Sequence, residues 1–123
     1  MSVTTAMTTS FKQELLQGLH DLDGHTLKLA LIKSGESGTF GAASTNFSNI
    51  TDSSDEASGT GYSSGGATLG SVAITTSGTT AFVDFADVSF SNSTISASGA
   101  MIYNSSASNR AIAVISFGGT VAS

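Results

Sequence analysis

Alternating apolar and polar positions predict a series of β-strands along most of this chain. The stretch TLKLALIK, residues 26–33, puts leucines on one face and lysine, alanine and isoleucine on the other, which is typical of a strand with a buried face. Four further strands are predicted from the same kind of pattern: 67–76, 79–86, 94–103 and 110–117. The pairs Ser77-Gly78 and Ser91-Asn92 supply turn signals between them.

One short helix is predicted before the first long strand. Three apolar residues recur there with helical spacing: Phe11, Leu15 and Leu19. Ser10 and Gln13 have the spacing of a capping box, so the helix is expected over 10–20. Residues 1–9 are small and polar and are expected to form a flexible arm.

A long polar segment, 34–66, separates the helix and first strand from the later strands. Gly, Ser, Thr, Asn and Asp dominate it, and a loop of this length is usually functional or disordered. Four larger side chains recur at intervals and are expected to pin the loop to the body: Phe40, Phe47, Ile50 and Tyr62. The fold class is therefore mainly β (α+β), an antiparallel β-sandwich or sheet with one short amphipathic helix, in a single domain over 10–123.

The stretch GAMIYNSSASNRAIAVISFGG, residues 99–119, predicts a hairpin with a polar loop. We expect its apolar residues to bury one sheet face: Ile102, Ile112, Val114 and Phe117. Arg110, the sole arginine, begins the second strand. It could anchor an acidic partner through a bidentate pair or simply face solvent.

Composition excludes several classes of function. Charged residues make up 11% of the chain and the net charge is −5, and the four basic residues are scattered, so direct binding to nucleic acid is not expected. Cysteine is absent, which excludes disulfides and cysteine-based metal sites. The start of the chain lacks the pattern of a signal peptide and no apolar run is long enough for a membrane helix, so we expect synthesis in a cytoplasm and no membrane partner.

The stretch HDLDGH, residues 20–25, is the best candidate for metal or acid–base chemistry. Two imidazoles and two carboxylates lie close in sequence, but a turn also favours Asp, Gly and His for solvation, and we favour a solvated turn. Carboxylates that could serve glycoside hydrolysis are Asp52, Asp55, Glu56, Asp84 and Asp87. Because the chain has no tryptophan and only two tyrosines to grip a sugar, an acidic solvated loop is favoured.

Other signals of catalysis are weak. The glycine-rich GTGYSSGG, residues 59–66, lacks a following lysine and precedes a strand, unlike a phosphate-binding loop. No Gly-x-Ser-x-Gly elbow is present. We therefore predict a protein that is not an enzyme, with no catalytic residues, cofactor or metal.

A binding surface is the remaining expectation. The predicted strand edges carry no proline and almost no lysine, which are the residues that usually block pairing with other chains. The candidate contact residues lie in the arm, in the long loop and at the start of the last strand: Val3, Met7, Phe40, Phe47, Ile50, Tyr62 and Arg110.

Several stretches resemble a family of small virion proteins of tailed phages, common in podovirus-like phages including those of cyanobacteria. The resemblance runs from Ser10 to Gly119 and rests on SFKQELLQGLHDL, SGTGYSSGGATL, TTAFVDFADVSFSNSTISASGAMIYNSS and NRAIAVISFGG, in that order. The set is fairly specific, whereas no single piece is specific alone.

The resemblance implies a capsid cement or decoration protein on the outer surface of the head. Its partner would then be the major capsid protein, together with further copies of itself, and its location the virion. Two alternatives stay open: a tail- or fibre-associated virion protein, and a surface carbohydrate-binding module. A small hydrolase is the last choice.

Overall fold

A computed structural model describes residues 2–70, 72–84 and 94–122, and these residues form a mainly β structure with antiparallel sheets. This confirms the predicted fold class. The strands in chain order are β1 Ser2–Val3, β2 Ala6–Met7, β3 Leu27–Lys33, β4 Thr39–Phe40, β5 Ala67–Thr68, β6 Ala73–Ser77, β7 Thr80–Asp84, β8 Ser96–Asn104 and β9 Arg110–Ala122. The helices are α1 Thr9–Leu16 and α2 Ser48–Asp52, and a 3-10 turn, Ser105–Ala107, joins β8 to β9.

The central element is a five-stranded antiparallel sheet in the order β2-β9-β8-β3-β5. Its middle is formed by the three longest strands, in which Ala30 lies opposite Met101 and Met101 opposite Val114. These three residues are fully buried in one hydrophobic cluster. The strands that the alternation of apolar residues predicted over 26–33, 94–103 and 110–117 therefore form the centre of the sheet.

A bulge in β9 divides the apolar residues of the last hairpin between two faces. Ile102 pairs with Ala113 and Tyr103 with Ala111, so Ile112 has no partner in the ladder. The extra residue shifts the alternation, and Val114 packs with one cluster whereas Ile112 packs with Ile102 in another. The expectation that these residues bury one face is wrong.

Phe117 also departs from that expectation, because it remains 39% exposed. Four residues of β9, 117–120, lie opposite Ser98 alone, since Gly99 pairs with Ser116 and Ala97 with Val121. Two glycines with positive φ angles, Gly118 and Gly119, allow this excursion.

The long polar segment packs one of its apolar residues after another onto the sheet. Phe40 and Ile50 are 2% and 0% exposed and belong to the cluster of Met101 and Val114. Phe47 stacks on Tyr103 with ring centroids 4.5 Å apart. The prediction that spaced apolar side chains pin this loop to the body is confirmed for these three residues.

The first residues of the chain, predicted as a flexible arm over 1–9, are tied to the body by backbone hydrogen bonds. β1 pairs in parallel with β4, and β2 pairs with β9 through Ala6–Val114 and Met7–Ala113. The arm is therefore part of two sheets in the folded chain.

The helix α1 begins and ends earlier than the predicted 10–20. Thr8, and not Ser10, is the N-cap: its side-chain oxygen accepts from the Phe11 N–H at 3.2 Å and its hydroxyl donates to the Ala111 carbonyl at 3.1 Å. Phe11 is buried, whereas Leu15 is 42% exposed. No helix among the described residues is long and apolar enough to cross a membrane.

The strand predicted over 67–76 is two strands. β5 pairs with β3 at the edge of the central sheet, whereas β6 pairs with β7 in a separate two-stranded sheet. The prediction over 79–86 is confirmed for Thr80–Asp84, and its remainder, with the turn at Ser91-Asn92 and the carboxylate Asp87, lies outside the described residues.

Candidate functional site

The two histidines of HDLDGH converge on one buried asparagine. The Asn104 side-chain nitrogen lies 3.0 Å from His20 Nδ1 and 2.9 Å from His25 Nδ1. Asn104 ends β8 and is fully buried. The turn therefore packs against the end of the central sheet, although the two histidines are about eighty residues from Asn104 in the sequence.

The orientation of the Asn104 amide fixes the tautomers of both rings. Its oxygen accepts a hydrogen bond from the Ser106 N–H at 3.0 Å, so its two N–H groups are the donors to the imidazoles. Each Nδ1 therefore accepts, and in a neutral ring the proton is on Nε2. The His20 Nε2 then donates to Glu14 Oε1 at 2.8 Å.

This cluster, which we call the Asn104 cluster (Glu14, His20, His25, Asn104 and Arg110), is satisfied within the chain. Arg110 Nε lies 3.6 Å from Glu14 Oε2. The His20 side chain is fully buried and packs edge-on against Phe11 at 4.9 Å. The prediction of a solvated turn is therefore wrong for His20.

The Asn104 cluster does not gather metal ligands. Its hydrogen bonds occupy both nitrogens of His20 and one of His25, and no group of three or more His, Cys, Asp or Glu in the described chain could hold a metal ion. Its arrangement is suited to joining α1 and the following turn to the end of β8 and the start of β9.

Asp55, from the predicted acidic loop, is a buried structural carboxylate. Its oxygens accept from the Gly38 N–H at 2.7 Å, the Ser37 N–H at 2.8 Å and the Ser53 hydroxyl at 2.8 Å. Burial alone would raise the pKa of Asp55, but these hydrogen bonds outweigh it and the pKa is lowered. Asp55 also forms an ion pair with Lys33, in which Nζ lies 3.9 Å from Oδ1.

Glu56 is likewise bonded inside the loop. Its Oε2 accepts from the Tyr62 hydroxyl at 2.7 Å and the Gly65 N–H at 2.6 Å. The Tyr62 oxygen in turn accepts from the Leu31 N–H at 3.0 Å. The expectation of an acidic solvated loop is therefore wrong for Asp55 and Glu56, whereas Asp52 is exposed.

Both tyrosines have perturbed acidity. Burial first, and then the hydrogen bond to Glu56, raises the pKa of Tyr62 well above its ordinary value. Burial, followed by the charge of Glu56, raises the pKa of Tyr103, whose hydroxyl donates to the Gly65 carbonyl at 2.5 Å. Both phenols therefore hold the glycine-rich loop in their neutral, donating form.

The seven predicted contact residues do not form one surface. Phe40 and Ile50 lie in the core, and Val3 and Phe47 are half-buried against it. Tyr62 is bonded to Glu56, and Arg110 belongs to the Asn104 cluster. Met7 is 49% exposed. In the folded chain most of these side chains hold the loop and the arm in place.

The most exposed described element is the hairpin β6–β7. All five residues of β6 are exposed, and Ile74 is 50% exposed. Within the described residues β6 pairs with β7 alone, and neither strand joins the central sheet. Among the described residues, the hairpin is therefore a surface element separate from the central sheet.

Neither the Asn104 cluster nor the separation of the hairpin from the central sheet was predicted from the sequence. The signal for Asn104 was an asparagine directly after an apolar strand, a position at which its side chain commonly bonds the backbone two residues on. The signal for the hairpin was its content of four threonines and one serine over residues 73–84, with few large apolar residues to bury.

Comparison with protein-family models, with curated proteins and with solved structures found no match for this chain.

Proposed function

We propose that this chain is a structural protein of a phage virion, a cement protein that binds the outer surface of the head and bridges major capsid subunits. The observation that carries the proposal is the exposed β6–β7 hairpin on a body in which every buried polar side-chain atom that the structure describes has a hydrogen-bond partner. A two-stranded hairpin in water is at best marginally stable and gains stability when further strands or a partner surface cover it. The hairpin is thus an element that suits assembly.

The interior of the molecule supports this proposal. The imidazoles of the Asn104 cluster, Asp55 and Glu56 each have partners within the chain at hydrogen-bonding distance. A catalytic site needs such groups to converge on an open cleft where a substrate can reach them. Here they join loops to the sheet, which is what a rigid structural module requires.

The alternative of a carbohydrate-binding module is disfavoured by the aromatic side chains. Such modules hold sugar rings on exposed aromatic faces. Among the aromatic side chains that the structure describes, Phe117 is the one that is exposed, whereas Phe11, Phe40 and Tyr103 are buried. A tail-associated structural protein shares all the features above, and copy number separates it from a cement protein.

The first test is the copy number of this protein in purified particles of the encoding phage, measured by quantitative mass spectrometry against the major capsid protein. If the protein binds at every joint between capsid subunits, its copy number should be comparable with that of the major capsid protein. A copy number typical of a tail or vertex component would contradict the cement role, and absence from the particle would contradict the virion assignment.

A second test uses particles that lack the protein. Adding back the wild-type chain should restore resistance to heat or osmotic shock. Ile74→Lys, in the hairpin, should lower the number of copies of the chain that bind to each particle. Leu16→Lys is the matched control, because Leu16 is an exposed apolar residue on α1, at 91% exposure, and should bind as the wild type does.

A further inference from the structure

The outer edge of β6 is a regular strand edge without a partner strand among the described residues. β6 has five residues, all of them exposed, and its ladder with β7 runs without a register shift from Ala73–Asp84 to Ser77–Thr80. The hairpin is closed by Gly78 and Thr79, and Gly78 has a φ of 60°. This is the positive angle that a type II′ turn needs at its first central position.

The turn determines which backbone groups of β6 point away from β7. Ser77 and Thr80 flank a two-residue turn, so they exchange hydrogen bonds with each other, and every second residue before Ser77 does the same. The backbone N–H and C=O groups of Ile74 and Thr76 therefore point outward. They are two donors and two acceptors on one short, straight edge.

The charge of the chain makes this edge suitable for a second copy. The chain carries nine acidic and four basic residues, so two copies repel over most surfaces. β6, with the sequence AITTS, has no charged residue, and the only charge of the hairpin is Asp84 at the far end of β7. Natural edges that avoid pairing usually carry lysine or proline, and this one has neither.

We propose that two copies of this chain associate through antiparallel pairing of their β6 strands about a two-fold axis at Thr75. Ile74 of each copy then lies opposite Thr76 of the other, and the outward groups of these residues form four hydrogen bonds. Thr75 faces Thr75 of the second copy, and threonine pairs are favourable across antiparallel strands. The two hairpins become one four-stranded sheet.

This arrangement removes the weakness of the isolated hairpin. Three or more strands are generally needed for a sheet to be stable by itself in water, and the pair supplies four. A two-fold contact uses the same surface on both copies and closes the assembly at a dimer. Because the contact is small, the dimer forms at high protein concentration, or where many copies are held close together on one surface.

Two double variants test the strand register as well as the contact. In Ile74→Glu/Thr76→Lys, each glutamate faces a lysine of the second copy, so association is retained. In Ile74→Lys/Thr76→Lys, lysine faces lysine twice, and association should weaken by about tenfold or more. Leu16→Lys is the control for an added surface charge. The full chain is measured by analytical ultracentrifugation from micromolar to millimolar concentration.

The expected result is a wild-type monomer–dimer equilibrium, kept in the Glu/Lys variant and in Leu16→Lys and lost in the Lys/Lys variant. A wild-type chain that stays monomeric at millimolar concentration overturns the proposal. So does a dimer that both double variants form, or both lose, equally, because the register would then be wrong. Circular dichroism of each variant verifies that the body is folded.

The inference does not rest on the proposed function. Dimerisation is measured on the purified chain without any particle, whereas the cement role is measured as copies per particle. A monomeric chain found in hundreds of copies on the head would refute this inference alone. A dimer absent from the particle would refute the proposed function alone.

Discussion

Asn104 is the single side chain on which the orientation of both histidines depends. Asn104→Asp removes both donors and places a carboxylate against two nitrogen lone pairs in a buried position. Buried groups that lose a hydrogen-bond partner cost about 1–3 kcal/mol each, so we expect a loss of unfolding free energy of this order or more. Urea denaturation measures it.

Asn49→Asp is the matched control, since Asn49 uses only its side-chain oxygen. That oxygen accepts from the Thr45 N–H at 2.8 Å and the Asn46 N–H at 3.2 Å, and aspartate keeps both bonds. Nitrogen-15 NMR of the wild type should show both neutral rings protonated on Nε2. A ring protonated on Nδ1 would contradict the assigned network.

Asp55 should make the stability of the protein depend on acid. Its pKa is lowered in the folded chain, so its contribution is fully present above the ordinary carboxyl range and is lost as the pH falls through the folded value. Asp55→Asn should cost about 1–3 kcal/mol near neutral pH, because the Gly38 N–H and the Ser53 hydroxyl then face an amide nitrogen. The difference from the wild type should shrink as the pH falls below the ordinary carboxyl range, because the carboxylate then becomes protonated in the folded chain as well.

Asp52→Asn is the control, because Asp52 is exposed and lies on α2 only three residues earlier. Its stability should follow that of the wild type throughout the same series of denaturation curves. An Asp55→Asn chain whose deficit is the same at every pH would show that the carboxylate charge is not what the loop requires.

Whether the sequence could predict the environment of these residues depends on how far along the chain their partners lie. The pinning of the loop by Phe40 and Ile50 was predictable, because a large apolar side chain in a polar segment is stabilised by burial wherever the body offers a surface. The convergence of His20 and His25 on Asn104 was not, because it depends on where the end of β8 lies relative to a distant turn. Asp55 was predicted to be solvated because its donors come from a loop folded by other contacts.

At the scale of elements, residues 55–62 of the long loop protect the edge of β3. The Leu31 carbonyl accepts from the Ala57 N–H at 2.9 Å, the Lys33 N–H donates to the Asp55 carbonyl at 2.7 Å, and the Leu31 N–H donates to the Tyr62 hydroxyl. The loop therefore takes the place of an edge strand beyond the two-residue β5. Such cover prevents pairing with other chains at this edge.

Tyr62→Phe should open this edge. The Leu31 N–H loses its acceptor and Glu56 loses a donor, so we expect a loss of about 1–3 kcal/mol and faster hydrogen exchange at Leu31. In the wild type the raised pKa of Tyr62 means that its contribution is present below the ordinary tyrosine range and is lost as the pH rises above it. This alkaline loss should be smaller in Tyr62→Phe.

Tyr103→Phe serves as the comparison, since its hydroxyl bonds the Gly65 carbonyl and not the β3 edge. Exchange at the Leu31 amide should be less affected there. Equal protection of Leu31 in the wild type and in Tyr62→Phe would show that the phenol does not cover the edge.

The bounds of an element were predictable where apolar and polar residues alternate regularly. They were predicted wrongly where the backbone is irregular. The strands β3 and β8 were placed to within two residues by their alternation. The bulge at Ile112 was invisible in a run of apolar residues, since every residue there suits a buried strand. The N-cap was misplaced because Thr8 is held by the Ala111 carbonyl, a partner that capping rules do not consider.

At the scale of the whole molecule, the described residues combine a packed central sheet with a hairpin that forms a separate sheet. In the body, both faces of the central sheet are covered, one by the long loop and the other by α1 and neighbouring residues. The hairpin adds no strand to that sheet. A protein built this way can change what its hairpin contacts without changing what holds its core together.

The same substitution at two isoleucines tests this division. Ile50→Ala removes a fully buried side chain from the core and should cost about 2–5 kcal/mol. Ile74→Ala removes a half-exposed side chain from β6, and the unfolding free energy of the dilute monomer should change by less than about 0.5 kcal/mol. Denaturation midpoints at low protein concentration separate the two. A comparable loss at Ile74 would mean that the hairpin belongs to the core of the folded chain, and the surface proposed for assembly would then be an internal contact.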